Sequence, residues 1–165
     1  MTKILDRKIL KDKLDALRQE GKKIAFTNGC FDILHVGHVR YLKEAKKTAD
    51  ILVLALNSDD SVRAIKGEKR PLVGEMERAE VLAALDCIDF VTIFSELTPL
   101  TLICYLKPDI LIKGGDWPED KVVGRDEIKT WGGHVTIIPE IAGKSTTNIV
   151  DKIISVYCGG NNTSG

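Results

Sequence analysis

No run of apolar residues in this 165-residue chain exceeds the six of Ile51 to Leu56, far short of the ~20 a helix needs to cross a bilayer. The polar N-terminus also lacks a signal-peptide core, so a cytoplasmic location is expected. Charge of one sign is missing as well: 24 Lys and Arg balance 24 Asp and Glu, leaving no broad electrostatic surface for nucleic acid or anionic lipid. Cysteine is scarce and scattered. Cys30, Cys87, Cys104 and Cys158 form no C-x-x-C pair, so a zinc knuckle or redox dithiol lacks support and reduced thiols are expected. What is left, 44% hydrophobic and 29% charged residues, is the composition of one soluble domain that buries roughly 70% of its unfolded surface. Function must then come from a local constellation.

The pattern along the chain alternates. Leu5, Ile9, Leu10, Leu14 and Leu17 recur at helical spacing, predicting a helix over about 5–20 with Asp6 as its cap and Gly21 as its stop. Short apolar strands are predicted at 23–27, 51–56, 90–94, 110–113 and 134–138, with helices at about 37–48, 75–85, 99–106 and 146–156, the last capped by Ser145 or Thr146. Five strands separated by helices predict an α/β fold, a Rossmann-like doubly wound parallel sheet with right-handed crossovers and an extra N-terminal helix. Residues 1–158 form one domain on this reading. The Gly-Gly-Asn-Asn-Thr-Ser-Gly stretch at 159–165 has no apolar content and is expected to be a disordered tail.

Ligands of such sheets bind beyond the carboxyl ends of the strands. That rule selects Asn28 to His38, Asn57 to Asp60, Lys113 to Trp117 and Glu140 to Thr147. Within the first stretch, His35 and His38 stand three apart around Gly37, so both imidazoles face one way on a starting helical turn. Gly37 removes a side chain where a ligand would approach, and the helix start offers free N–H groups to an anion. An H-x-x-H pair elsewhere would read as one structural and one surface histidine, or as two metal ligands. Its place after the first strand, with Gly29 and Gly37 alongside and no carboxylate at metalloprotease spacing, favours polyphosphate. Two imidazoles that donate to phosphate oxygens stabilise charge on a phosphorus under in-line attack.

Lys66, read as lying in a loop after the second strand, is either a solvated lysine or a phosphate partner. Lys113-Gly-Gly-Asp-Trp117 is either a tight strand exit or a place where backbone approaches a flat base. Gly143-Lys-Ser-Thr-Thr147 ends like a Walker A loop, but the first glycine of that pattern would fall at Ile138, so a P-loop is excluded. A helix start rich in hydroxyls remains. A dinucleotide-binding dehydrogenase fails because the first loop lacks G-x-G-x-x-G and Asn57, not an acid, ends the second strand.

The stretch Phe26-Thr-Asn-Gly-Cys-Phe-Asp-Ile-Leu-His-Val-Gly-His-Val-Arg-Tyr-Leu42 resembles the signature of the cytidylyltransferase-like nucleotidyltransferase superfamily. Leu56-Asn-Ser-Asp59, Ile65-Lys-Gly67 with Arg70-Pro71, Glu77-Arg78, Ile112-Lys-Gly-Gly-Asp116 and Gly143-Lys-Ser-Thr-Thr-Asn-Ile149 resemble its heptose 1-phosphate adenylyltransferase branch. The resemblance implies transfer of adenylyl from ATP, with Mg²⁺, to a sugar 1-phosphate, releasing pyrophosphate and supplying ADP-heptose for lipopolysaccharide-type core sugars. It implies catalytic roles for His35, His38 and Lys66. Nucleotide binding would fall to Asn28, Gly29, Cys30, Phe31, Gly37, Asn57, Lys113, Gly114, Asp116, Gly143, Ser145, Thr146 and Thr147, with Trp117 as a wall. Asp32 and Arg70 would meet the sugar phosphate, and no protein residue would hold a metal. Related glycerol-phosphate cytidylyltransferases carry arginines near Asp86 and Glu140 that this chain lacks. The alternatives are such a cytidylyltransferase, acting on glycerol 3-phosphate or another small phosphorylated alcohol, and a non-catalytic nucleotide-binding module. The expected partners are ATP and a sugar 1-phosphate, a second copy in a homodimer, and a separate sugar kinase, for which 165 residues leave no room. No nucleic acid or membrane is expected.

Overall fold

A computed structural model of the chain describes residues 2–115, 118–139 and 145–158. The expected roles of Asp116, Trp117 and Gly143, and the tail at 159–165, lie outside the described residues. Five strands, β1 (Ile24–Gly29), β2 (Ile51–Asn57), β3 (Phe90–Phe94), β4 (Ile110–Gly114) and β5 (His134–Ile138), form one parallel sheet in the order β3-β2-β1-β4-β5. All five predicted strands are present. The chain reverses direction between β1 and β4, so the crevice of the sheet opens above those two strands.

Alternation along each strand divides the core in two. Phe26, Val53, Phe90 and Leu111 face α1 (Arg7–Gln19), α5 (Leu100–Leu106) and α6 (Arg125–Thr130). Leu52, Leu54, Leu56 and Ile112 face α2 (Val36–Lys46) and α4 (Glu75–Ala83). The N-terminal helix starts where its cap was expected: Asp6 accepts from the Lys8 and Ile9 N–H groups at 2.8 and 3.0 Å. Ahead of it, Lys3 and Leu5 pair with Val91 and cover the β3 edge.

Carboxylates fasten the N-terminal edge of the sheet. Asp109 accepts from the Ile24 N–H at 2.8 Å, Asp50 from the Lys23 N–H at 2.8 Å, and Asp89 from the Leu52 N–H at 2.7 Å. These three acids sit at the end of the sheet opposite the crevice.

Three elements were not predicted: α3 (Asp59–Lys66), α6 and a 3-10 turn (Glu119–Lys121). Lys66 is corrected by this: it is the last residue of α3, not part of a loop. Ser58 caps α3 by accepting from the Ser61 N–H at 3.2 Å, and Gly67 ends it at φ 93°. The last helix, α7 (Thr146–Tyr157), begins at its expected cap, Ser145. Among the described residues no helix is long and apolar enough to cross a membrane.

Candidate active site

A cleft of about 710 Å³ opens over the carboxyl ends of the strands. Its lining gathers Asn28 to Asp32, His35, Gly37, His38, Asn57, Lys66, Arg70, Lys113, Gly114 and Ser145 to Thr147. Every expected site residue that the structure describes is among them. Sequence reasoning missed Tyr41, Val62, Ile65, the 97–99 segment, Lys121 to Val123 and Pro139.

His35 is the extended residue just before α2, and its ring stacks on that of His38 with centroids 3.7 Å apart and planes 23° from parallel. The i, i+3 spacing thus does bring both imidazoles to one side. Phe31 meets His38 edge-on at 5.0 Å. Burial, and secondarily the neighbouring His35, push the His38 pKa down to about 4, so at neutral pH its ring is uncharged and donates from one nitrogen only.

Asn28 and Lys113 floor the cleft from adjacent strands, the ammonium donating to Asn28 Oδ1 at 2.8 Å. Burial lowers the Lys113 pKa. Burial raises that of the Cys30 thiol, which argues against a thiolate nucleophile. Tyr41, one turn after His38, bonds through its hydroxyl to Thr27 Oγ1 at 2.6 Å, and burial pushes its pKa up to about 12. A Cβ on Gly114 would stand 3.1 Å from the Tyr41 ring, so glycine there lets the β4 backbone line the cleft.

On the opposite wall, buried Asp32 accepts the Leu72 and Val73 N–H groups at 2.7 and 3.0 Å and pairs with Arg70. Asn57 turns its amide to Ser61 Oγ at 2.9 Å, below the start of α3. The Ser145 hydroxyl accepts from the Asn148 N–H at 3.1 Å, and Thr146 Oγ1 donates to the Ile33 carbonyl at 3.4 Å, which ties α7 to the loop before α2. Lys66, Arg70, Lys113 and Lys121 face a cleft in which Asp32 is the carboxylate among the described residues. The arrangement is a largely cationic cleft with an uncharged imidazole in its lining, chemistry that suits a polyanion.

The cytidylyltransferase-like family profile matches residues 26–153. The chain belongs to that family. This cytidylyltransferase-like protein is 56% identical over 156 residues to the bifunctional protein HldE of Pelobacter propionicus, across 94% of this chain and 32% of that protein. It is 60% identical over 144 residues to the HldE of Geobacter metallireducens, across 87% of this chain and 29% of that protein. The chain thus spans about a third of the length of these curated relatives. Among solved structures, the lipopolysaccharide core biosynthesis protein from Thermoplasma volcanium superposes with a TM-score of 0.60 at 31% identity, over 73% of this chain and 98% of that one. A pantoate-beta-alanine ligase from Francisella tularensis, at 15% identity and a TM-score of 0.54, shares the fold. The family and these relatives indicate a nucleotidyltransferase.

Proposed function

We propose that the protein is a heptose 1-phosphate adenylyltransferase, taking ATP and a heptose 1-phosphate to ADP-heptose and pyrophosphate. The observation that carries the reading is the stacked His35–His38 pair in the lining of a cationic cleft. The Lys113-Gly-Gly and Ser145-Thr-Thr-Asn-Ile149 stretches, and relatives named HldE and a lipopolysaccharide core biosynthesis protein, support the choice of sugar.

A phosphate oxygen of the sugar 1-phosphate attacks the α-phosphorus of ATP. The bond from that phosphorus to the bridging oxygen breaks, and pyrophosphate leaves with the electron pair. The nucleophile is already an anion, so no general base is needed. His35 and His38 donate to the phosphate oxygens as charge builds on them, and the hydroxyls and N–H groups at the start of α7 receive the leaving pyrophosphate. Lys66 neutralises the triphosphate from the β2 side and Lys113 from the floor, while Asp32 holds Arg70 toward the sugar phosphate.

Mg²⁺ supplies further charge neutralisation of the triphosphate. The cleft suits an ion that arrives on ATP: both oxygens of Asp32 are engaged by Arg70 and two amides, and no cluster of three metal-ligating side chains occurs among the described residues. We further propose that the protein is cytoplasmic and dimeric, and that a sugar kinase supplies its 1-phosphate.

The test is pyrophosphate release from Mg²⁺, ATP and D-glycero-β-D-manno-heptose 1-phosphate. His38→Ala should lower kcat by roughly 10²-fold or more. Release with CTP and glycerol 3-phosphate instead would assign the protein to the other branch of its family.

A further inference from the structure

Arg78 lies on α4 and its side chain is wholly out of contact with solvent. A buried guanidinium needs a counter-ion, and Asp59 supplies one at 2.7 Å from Nη2. Neutralisation does not explain its other two bonds. Nε donates to the Val73 carbonyl at 2.8 Å, and Nη1 donates to the Cys30 carbonyl at 2.5 Å. The second of these reaches the Asn28–Asp32 segment, which lines the cleft.

The next residue, Phe31, has a φ of 44°, in the left-handed region that a bulky side chain rarely adopts. Such strain persists only when its surroundings hold it, and it gathers at functional sites. Here three contacts hold it. Arg78 grips the peptide before Phe31, Asp32 after it is bonded to the Leu72 and Val73 amides, and the Phe31 ring rests edge-on against His38. In a trans peptide the carbonyl and the following N–H point opposite ways. A Cys30 carbonyl bound to the buried guanidinium therefore turns the Phe31 N–H away from Arg78, and both Cys30 and Phe31 line the cleft.

We propose that Arg78 is a positioning residue for phosphoryl transfer: by holding the Cys30 carbonyl it aims the Phe31 N–H at the transferring phosphoryl group. Arg78 touches no substrate and acts through one peptide plane. The inference rests on nucleotidyl transfer in this cleft and not on the identity of the sugar.

Arg78→Lys keeps a charge for Asp59, but one ammonium lacks the planar fork that spans two carbonyls and a carboxylate. Leu14→Ala, on the buried face of α1 and outside the lining of the cleft, serves as the stability control. Misaiming a donor by about 1 Å costs roughly 10²-fold, so Arg78→Lys should lower kcat by that order while KM for ATP stays within about threefold. The control should keep its kcat at an equal loss of Tm. In the wild-type protein the amide proton of Phe31 should move downfield on addition of Mg²⁺-ATP alone, and less so in Arg78→Lys. Retention of kcat by Arg78→Lys, or an equal loss in the control, overturns the proposal. An unmoved Phe31 amide in the wild type does so even where the variant fails to fold. Because that reading needs no acceptor, it stands apart from the sugar assignment, which fails if the wild type shows no turnover on heptose 1-phosphate.

Discussion

At the scale of single residues, the protonation state of His38 is set by its burial. With its pKa near 4, the ring is uncharged in the folded protein, while in the unfolded chain it takes up a proton near pH 6.5. Between those values the unfolded state binds more protons, so stability falls as pH drops from about 6.5 to about 4. His38→Gln should flatten that part of a Tm-against-pH profile, and equal slopes in the two proteins would place the ring in an exposed, ordinary setting. Gly29 is a second point of control. A Cβ there would meet Phe31 Cε2 at 2.8 Å, so Gly29→Ala should push the ring off His38 and lower kcat about tenfold or more, with Tm falling by a few degrees at most. Steady-state kinetics beside a melting curve separates the two effects.

These cleft-lining residues were legible because their neighbours in sequence are also their neighbours in space: His35 with His38, Asn28 with Gly29, Ser145 with Thr146. Arg78 and Lys121 were not legible in the same way. A charged residue on a short helix or in a 3-10 turn looks like a solvated one, and only tertiary packing shows that Arg78 is buried against Cys30 and Val73. Tyr41 did leave a signal, since it follows His38 by three on one helix.

At the scale of elements, the sheet and its long helices follow from apolar patterning, and the short pieces do not. α3 has eight residues, opens on two aspartates and buries Ser61 and Val62. Too few apolar positions remain for periodicity to register, although the Ser58 cap, the acidic first turn and Gly67 at its end were present as stop and start signals. α6 is shorter still and is held by what lies around it. Gly133, which follows it, sits so close to its neighbours that a Cβ would fall 2.5 Å from Ile128 Cγ1 and 2.7 Å from the Asp109 carbonyl oxygen. Gly133→Ala should therefore destabilise the protein by about 1–3 kcal/mol, read by denaturant unfolding. An unchanged midpoint would mean that α6 yields freely.

At the scale of the whole molecule, net neutrality hides a local excess of positive charge in the lining of the cleft. Aspartates 50, 89 and 109 fasten the N-terminal edge of the sheet, and four cationic side chains face the cleft at the other. A polyphosphate is then drawn to one end of a neutral molecule, and KM for ATP should rise with ionic strength as the field is screened over a Debye length of ~10 Å at 0.1 M. A KM indifferent to salt would leave recognition to hydrogen bonds alone. The most direct measurement is pyrophosphate release with ATP or CTP as donor and heptose 1-phosphate or glycerol 3-phosphate as acceptor, all with Mg²⁺. Adenylyl transfer predicts release with ATP and heptose 1-phosphate, largely abolished in His38→Ala. Release confined to CTP and glycerol 3-phosphate, or tight ATP binding without release from any pair, contradicts it.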